Sequence, residues 1–140
     1  MRQHFISTFI LLIALSVAIA APLKRSTTFE KCTKFKIVPD LLNVKINPDP
    51  LLPNKAFTVS TSGTVTTTVT DGNVEVSVDG LTVASDFDDA SFKAKANQKF
   101  KTNKQPLNPI PNNTTFALSV VATDGDGNII GCANKTFTFK

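Results

Sequence analysis

The sequence predicts an all-β fold, a sandwich of two antiparallel sheets, from three observations. Apolar and polar residues alternate over several short stretches, as in "VEVSV" (74–78) and "FALSV" (116–120), which is the period of a strand with one buried face. Turn dipeptides and proline clusters interrupt these stretches at short intervals. No stretch carries a convincing helical period.

The elements follow in order. "KFKIV" (34–38) and "LLNVKI" (41–46) read as early strands broken near Pro39. "NPDPLLPN" (47–54) holds three prolines and cannot sit inside a sheet ladder. "AFTVSTSG" (56–63) is a strand running into Gly63, a bulge or bend. Asp71-Gly72 tolerates positive φ at both central positions and predicts a tight hairpin. Thr70 then pairs with Asn73, and Val69, Thr67 and Val65 face Val74, Val76 and Val78. Asp79-Gly80 repeats the pattern, setting Val78 against Leu81 and Val76 against Val83. The result is a three-strand meander, polar on one face and mostly valine on the other, whose apolar side needs a cover. "SFKAKANQKFK" (91–101) alternates strictly, and "NKQPLNPIPNN" (103–113) is a second proline-rich connector. "TFALSVVATD" (115–124) and "IIGCANKTFTF" (129–139) are the closing strands around the turn "DGDGN" (124–128). Seven or eight short strands result.

Residues 1–20 read as a secretory signal peptide. Arg2 and His4 precede the apolar run Phe5 to Ile19, and Ala18-Ile19-Ala20 fits a small-x-small cleavage site. The run is shorter than the ~20 residues of a membrane span. Residues 21–30 are then a flexible mature N-terminus, in which Lys24-Arg25 is either a dibasic processing site or an exposed start, and 31–140 form the domain. A secreted or vacuolar (lysosomal) lumen location follows. The mature chain lacks His, Trp, Tyr and Met, so its aromatics are phenylalanines without a polar handle. The whole-chain net charge of +4 is mild and gives no case for nucleic acid. Cys32 and Cys132 are the only cysteines. In a secretory chain they are expected to pair, tying the start of the domain to its last strand. Sequons at Asn112, Asn113 and Asn134 are candidate glycosylation sites.

The order of features resembles the ML family, the MD-related lipid-recognition domains, and within it the fungal phosphatidylglycerol/phosphatidylinositol transfer proteins. The pieces are Cys32 shortly after the signal peptide, "VKINPDPLLPNKAFTVSTSGTV", "VTDGNVEVSVDGLTV" and "PNNTTFALSVVATDGDGNIIGCANKTFTF". They cover residues 30–140. The resemblance implies an immunoglobulin-like β-sandwich whose two sheets are splayed around an apolar cavity filled by lipid, with the terminal cysteines paired. One departure stands out. The family's middle section carries two more cysteines, and here "SDFDDASFKAKANQKFKTNKQPLNP" has none.

No catalytic constellation is present in the mature sequence. Nucleophilic triads need a base, and there is no His. Asp86, Asp88 and Asp89 form a carboxylate cluster without the Trp or Tyr platforms of a sugar cleft, and read as a solvated loop. "DGDGN" starts like a calcium loop, but its twelfth position is Lys135, not Glu. No metal and no cofactor are expected. Lys93, Lys95, Lys99 and Lys101 share one strand face, near Lys104. They protect an edge strand or, for Lys93, Lys95 and Lys99, meet anionic headgroups of a membrane.

The apolar faces are either a packed core or a ligand cavity. Small valines opposite phenylalanines suit acyl chains or a sterol. The expected lipid-binding wall is Phe57, Val59, Val65, Val69, Val74, Val76, Val78, Phe92, Phe100, Phe116, Leu118 and Val120. The sequence-level reading is a non-enzymatic, monomeric carrier of a phospholipid or sterol that touches anionic membranes transiently. The alternative is a secreted protein or cell-wall interaction module with a solid core.

Overall fold

The computed structural model describes residues 26–36, 38–80 and 88–140. Among the described residues nine strands make two sheets: β1 (Asp40–Leu41), β2 (Asn43–Asn47), β3 (Phe57–Thr64), β4 (Val69–Asp79), β5 (Asp88–Ala94), β6 (Lys99–Lys101), β7 (Gln105–Leu107), β8 (Thr115–Thr123) and β9 (Ile129–Thr138). The larger sheet runs β1-β9-β8-β4-β5, and the smaller runs β2-β3-β6 with β7 also on β3. All pairings are antiparallel except the short β1–β9 pair. The fold class is the β-sandwich expected from the alternation. The segment read as a signal peptide (residues 1–20), Lys24-Arg25, Leu81, Val83 and Asp86 lie outside the described residues.

Alternation builds the interior. On β8, Phe116, Leu118, Val120 and Ala122 point inward, and on β4 Val74 and Val76 do. Register aligns Val76 with Val120 and Val78 with Leu118. From the smaller sheet come Val44, Ile46, Phe57, Val59 and Phe100. The disulfide Cys32–Cys132 forms, with Cα atoms 5.7 Å apart across a separation of 100 residues. Leu42 joins the sheets: it lies where the chain leaves β1 for β2, against Gly63 of one sheet and Gly131 of the other.

Four expectations are corrected. First, Asp71-Gly72 is not a hairpin turn. Both residues lie inside β4, at a register shift against β5 between Val69 and Gly72. The glycine is required by packing, because a Cβ there would fall within 3 Å of the Phe92 ring. The sharp break comes earlier, at 65–68, where Val65 N donates to Gln98 O (3.1 Å) and Asn97 N to Val65 O (2.8 Å). The Val65/Val78 and Val69/Val74 pairings therefore do not exist, and Val76 is flanked by Val120 and Asp88 rather than Val83. Second, 91–101 is two strands in different sheets. Asn97, at φ 61°, turns the chain between β5 and β6, a conformation that Asn accepts more readily than most residues. The four lysines thus do not share a strand: Lys93 is on β5, Lys95 in the turn, and Lys99 and Lys101 on β6. Third, 34–36 and Val38 are not strand, and the connector 103–113 contains β7 with Pro106 in it. Among the described residues β7 pairs only with β3, so Pro106 sits on an edge where a proline is tolerated. Fourth, the domain begins before residue 31. Thr27 N and Oγ1 donate to the Asp49 carboxylate (3.0 and 2.6 Å), Phe29 is buried, and Glu30 pairs with Asn134.

Candidate functional site: a slot at the sandwich edge

The twelve expected wall residues come together in one interior, which is closely packed around five of them. Val59, Val74, Val76, Leu118 and Val120 have 0% exposure, so no water-sized space adjoins them. Phe57, Val65, Val69, Phe92, Phe100 and Phe116 are also buried, and Val78 is half-buried. Along these side chains the sheets interlock, and the expected cavity is not open there. Close packing is the usual state of a protein interior. Phenylalanines supply much of the filling. Phe92 stacks on Phe100 with centroids 4.0 Å apart, closing the gap between β5 and β6. Phe116 stacks on Phe137 at 5.2 Å and meets Phe139 edge-on at 5.4 Å.

Space appears instead at the opposite edge. β2 is an edge of the smaller sheet, since among the described residues it pairs only with β3. Beside it runs the N-terminal strap, 26–30, held at one end by Thr27 on Asp49 and at the other by Glu30 on Asn134. Between strap and strand lies a slot of about 600 Å³. It is lined by Phe29, Leu42, Val44 and Ile46, each of which exposes less than a tenth of its surface, and by the more open Thr27, Asn43, Lys45 and Asp49. Alternation explains the arrangement. Val44 and Ile46 point inward from β2 while Asn43, Lys45 and Asn47 point to solvent. Phe29 meets Phe137 edge-on at 6.4 Å, which anchors the strap to the aromatic cluster. Sequence reasoning missed this site because Phe29 fell in a segment read as flexible. Its signal was present: an apolar residue just before Cys32.

The expected headgroup lysines are exposed and divided. Lys93 and Lys95 border a hollow of about 390 Å³ with Val69 and Ala94, whereas Lys99 borders another, of about 450 Å³, with Lys31 and Asp40. The sequons Asn112 and Asn113 are exposed, and Asn134 lies half-buried in β9. Asp124 Oδ1 accepts from Asn128 N (2.8 Å) and Asp126 N (3.0 Å), and Oδ2 from Asn128 Nδ2 (3.0 Å). These bonds, led by the Asn128 side chain, hold the Asp124 carboxyl below its ordinary 3.8. The turn thus satisfies its own carboxylate. Among the described residues no group of three or more His, Cys, Asp or Glu is placed to hold a metal ion.

No protein-family model and no curated protein matches the chain. Among solved structures it is similar to chicken MD-1 complexed with lipid IVa. That likeness has a TM-score of 0.46 and 12% identity, and covers 80% of this chain and 88% of that one.

Proposed function

We propose that the chain is a secreted, ML-like lipid-binding protein that takes an apolar chain of a phospholipid or sterol into the slot between the N-terminal strap and β2. The observation that carries this reading is the slot itself: about 600 Å³ of space where Phe29, Leu42, Val44 and Ile46 at the margin of the core meet Thr27, Asn43, Lys45 and Asp49. Small-molecule pockets of roughly 300–1,000 Å³ are typical. Each buried methylene contributes about 0.8 kcal/mol, so a tail is held without a specific polar contact. Transfer between membranes then needs uptake and release and no covalent step, cofactor or metal, and a monomer suffices. The signal-like sequence of residues 1–20 and the Cys32–Cys132 bridge support a secreted or vacuolar location.

A second reading is the interaction module with a solid core. The packing of Val59, Val74, Val76, Leu118 and Val120 favours it. Native mass spectrometry of protein purified from a eukaryotic secretory host separates the two. The lipid reading expects a co-purifying lipid that Thr28→Trp excludes, since Thr28 borders the slot and is exposed. A bare protein mass that stays bare after incubation with phospholipid or sterol vesicles favours the module.

A further inference from the structure

The two outer faces of the sandwich carry opposite charge. β2, β3, β6 and β7 contain three lysines, Lys45, Lys99 and Lys101, and no carboxylate. All three lysines are exposed. Register puts them on one surface. Lys45 stands beside Ser60, Asn43 beside Ser62 and then Lys101, and Thr64 beside Lys99. In each row the side chains point away from the core, since the alternate residues Val44, Ile46, Val59, Thr61 and Phe100 are buried. Lys99 and Lys101 are then about 7 Å apart along their strand, and Lys45 lies two strands away, about 10 Å across the sheet. In the larger sheet β4 carries three exposed carboxylates, Asp71, Glu75 and Asp79, β8 has no charged residue, and β5 contains Asp88, Asp89 and Lys93.

We infer that the outer face of the smaller sheet is a docking surface for an anionic phospholipid bilayer. The face is hydroxyl- and amide-rich and cationic, with a hollow beside Lys99 that Lys31 and Asp40 also border, and it complements the phosphate and carboxylate headgroups of a bilayer. The opposite face is repelled, so the charge asymmetry orients the molecule as well as attracting it. Position selects the bilayer over a soluble polyanion. Lys45 belongs both to this face and to the lining of the slot, so docking brings the slot mouth to the membrane. The inference rests on the lipid-slot reading for its purpose, but the docking is measurable alone. It assigns Lys45 and Lys101 to the surface with Lys99, and leaves Lys93 and Lys95 off it.

The test is flotation of the secreted protein with vesicles of phosphatidylcholine, alone or mixed with phosphatidylserine. The wild type is expected on the mixed vesicles at low salt and released at high salt. Each lysine near an anionic surface contributes about 1 kcal/mol, so the triple variant Lys45→Gln/Lys99→Gln/Lys101→Gln should bind about a hundredfold more weakly. The double variant Lys93→Gln/Lys95→Gln should bind within about threefold of wild type. These lysines are exposed, and circular dichroism will check that each variant is folded. A wild type that ignores the mixed vesicles overturns the inference. So does a triple variant that binds like wild type, or a larger loss in the double variant. Lipid retained in the native mass spectra of the double variant Lys99→Gln/Lys101→Gln, neither of which lines the slot, together with its weaker flotation, separates loss of docking from loss of the slot.

Discussion

Gly72→Ala tests why the chain runs straight through Asp71-Gly72. A Cβ at Gly72 would meet three atoms of the Phe92 ring within 3 Å. The ring cannot retreat, because its other face lies against Phe100 at a centroid distance of 4.0 Å. Overpacking of this kind costs about 1–3 kcal/mol, and the stacked pair places the expected loss near the middle, about 2 kcal/mol. Phe92→Leu removes the obstructing ring edge, and alone it loses aromatic packing, about 1–2 kcal/mol. In the double variant the new methyl group has room, so the two losses do not add. Urea unfolding of the disulfide-intact domain, followed by far-ultraviolet circular dichroism, gives the four stabilities of the cycle. A coupling of at least about 1 kcal/mol is expected for side chains in contact. If Gly72→Ala costs the same with Leu at 92 as with Phe, the glycine is serving a turn and the packing argument is wrong.

Three further outcomes follow from the geometry. Replacing Cys32 and Cys132 with serine opens a 100-residue loop and should cost about 2–5 kcal/mol; thermal unfolding unchanged from the oxidised protein would contradict the bridge's role. Thr61 is buried with its hydroxyl oxygen unpaired, while its backbone N–H bonds Thr102 Oγ1 at 3.0 Å. Thr61→Val should therefore raise stability by about 1 kcal/mol in denaturant titration, and a loss of that size would mean that the hydroxyl has a partner. Asp124 has a folded-state pKa below 3.8, so its contribution is present above that value and is lost as pH falls through the lower, folded one. Nuclear magnetic resonance titration should show Asn128→Ala moving the Asp124 midpoint upward, and an unmoved midpoint would remove Asn128 as the main cause.

Much of the fold is legible in the residues. Strict alternation at Asn43–Asn47, Phe57–Thr61 and Thr115–Thr123 survives as strands because each has one face in the core and one in water. The proline-rich link before Phe57 and the DGDGN turn also stand as read. The misreadings share a cause: a local signal was outweighed by a distant contact. Asp71-Gly72 has turn chemistry, yet the Phe92 ring decides its conformation. Residues 91–101 alternate without a break, and only the positive φ at Asn97 sends β6 into the other sheet. The valine-rich wall was located correctly as an interior face. How closely that interior packs was not legible, because filling depends on how phenylalanines from several strands meet. The slot depends on Phe29 and the Thr27–Asp49 contact, a tertiary pairing 22 residues apart that no periodicity reveals.

The most direct measurement is photo-crosslinking with a phospholipid carrying a diazirine on its acyl chain, followed by peptide mapping. Label should fall on the strap, residues 26–29, and on the stretch from Leu41 to Ile46. Label concentrated on β4 and β8, or none above a soluble control protein, would contradict a ligand held at the sandwich edge.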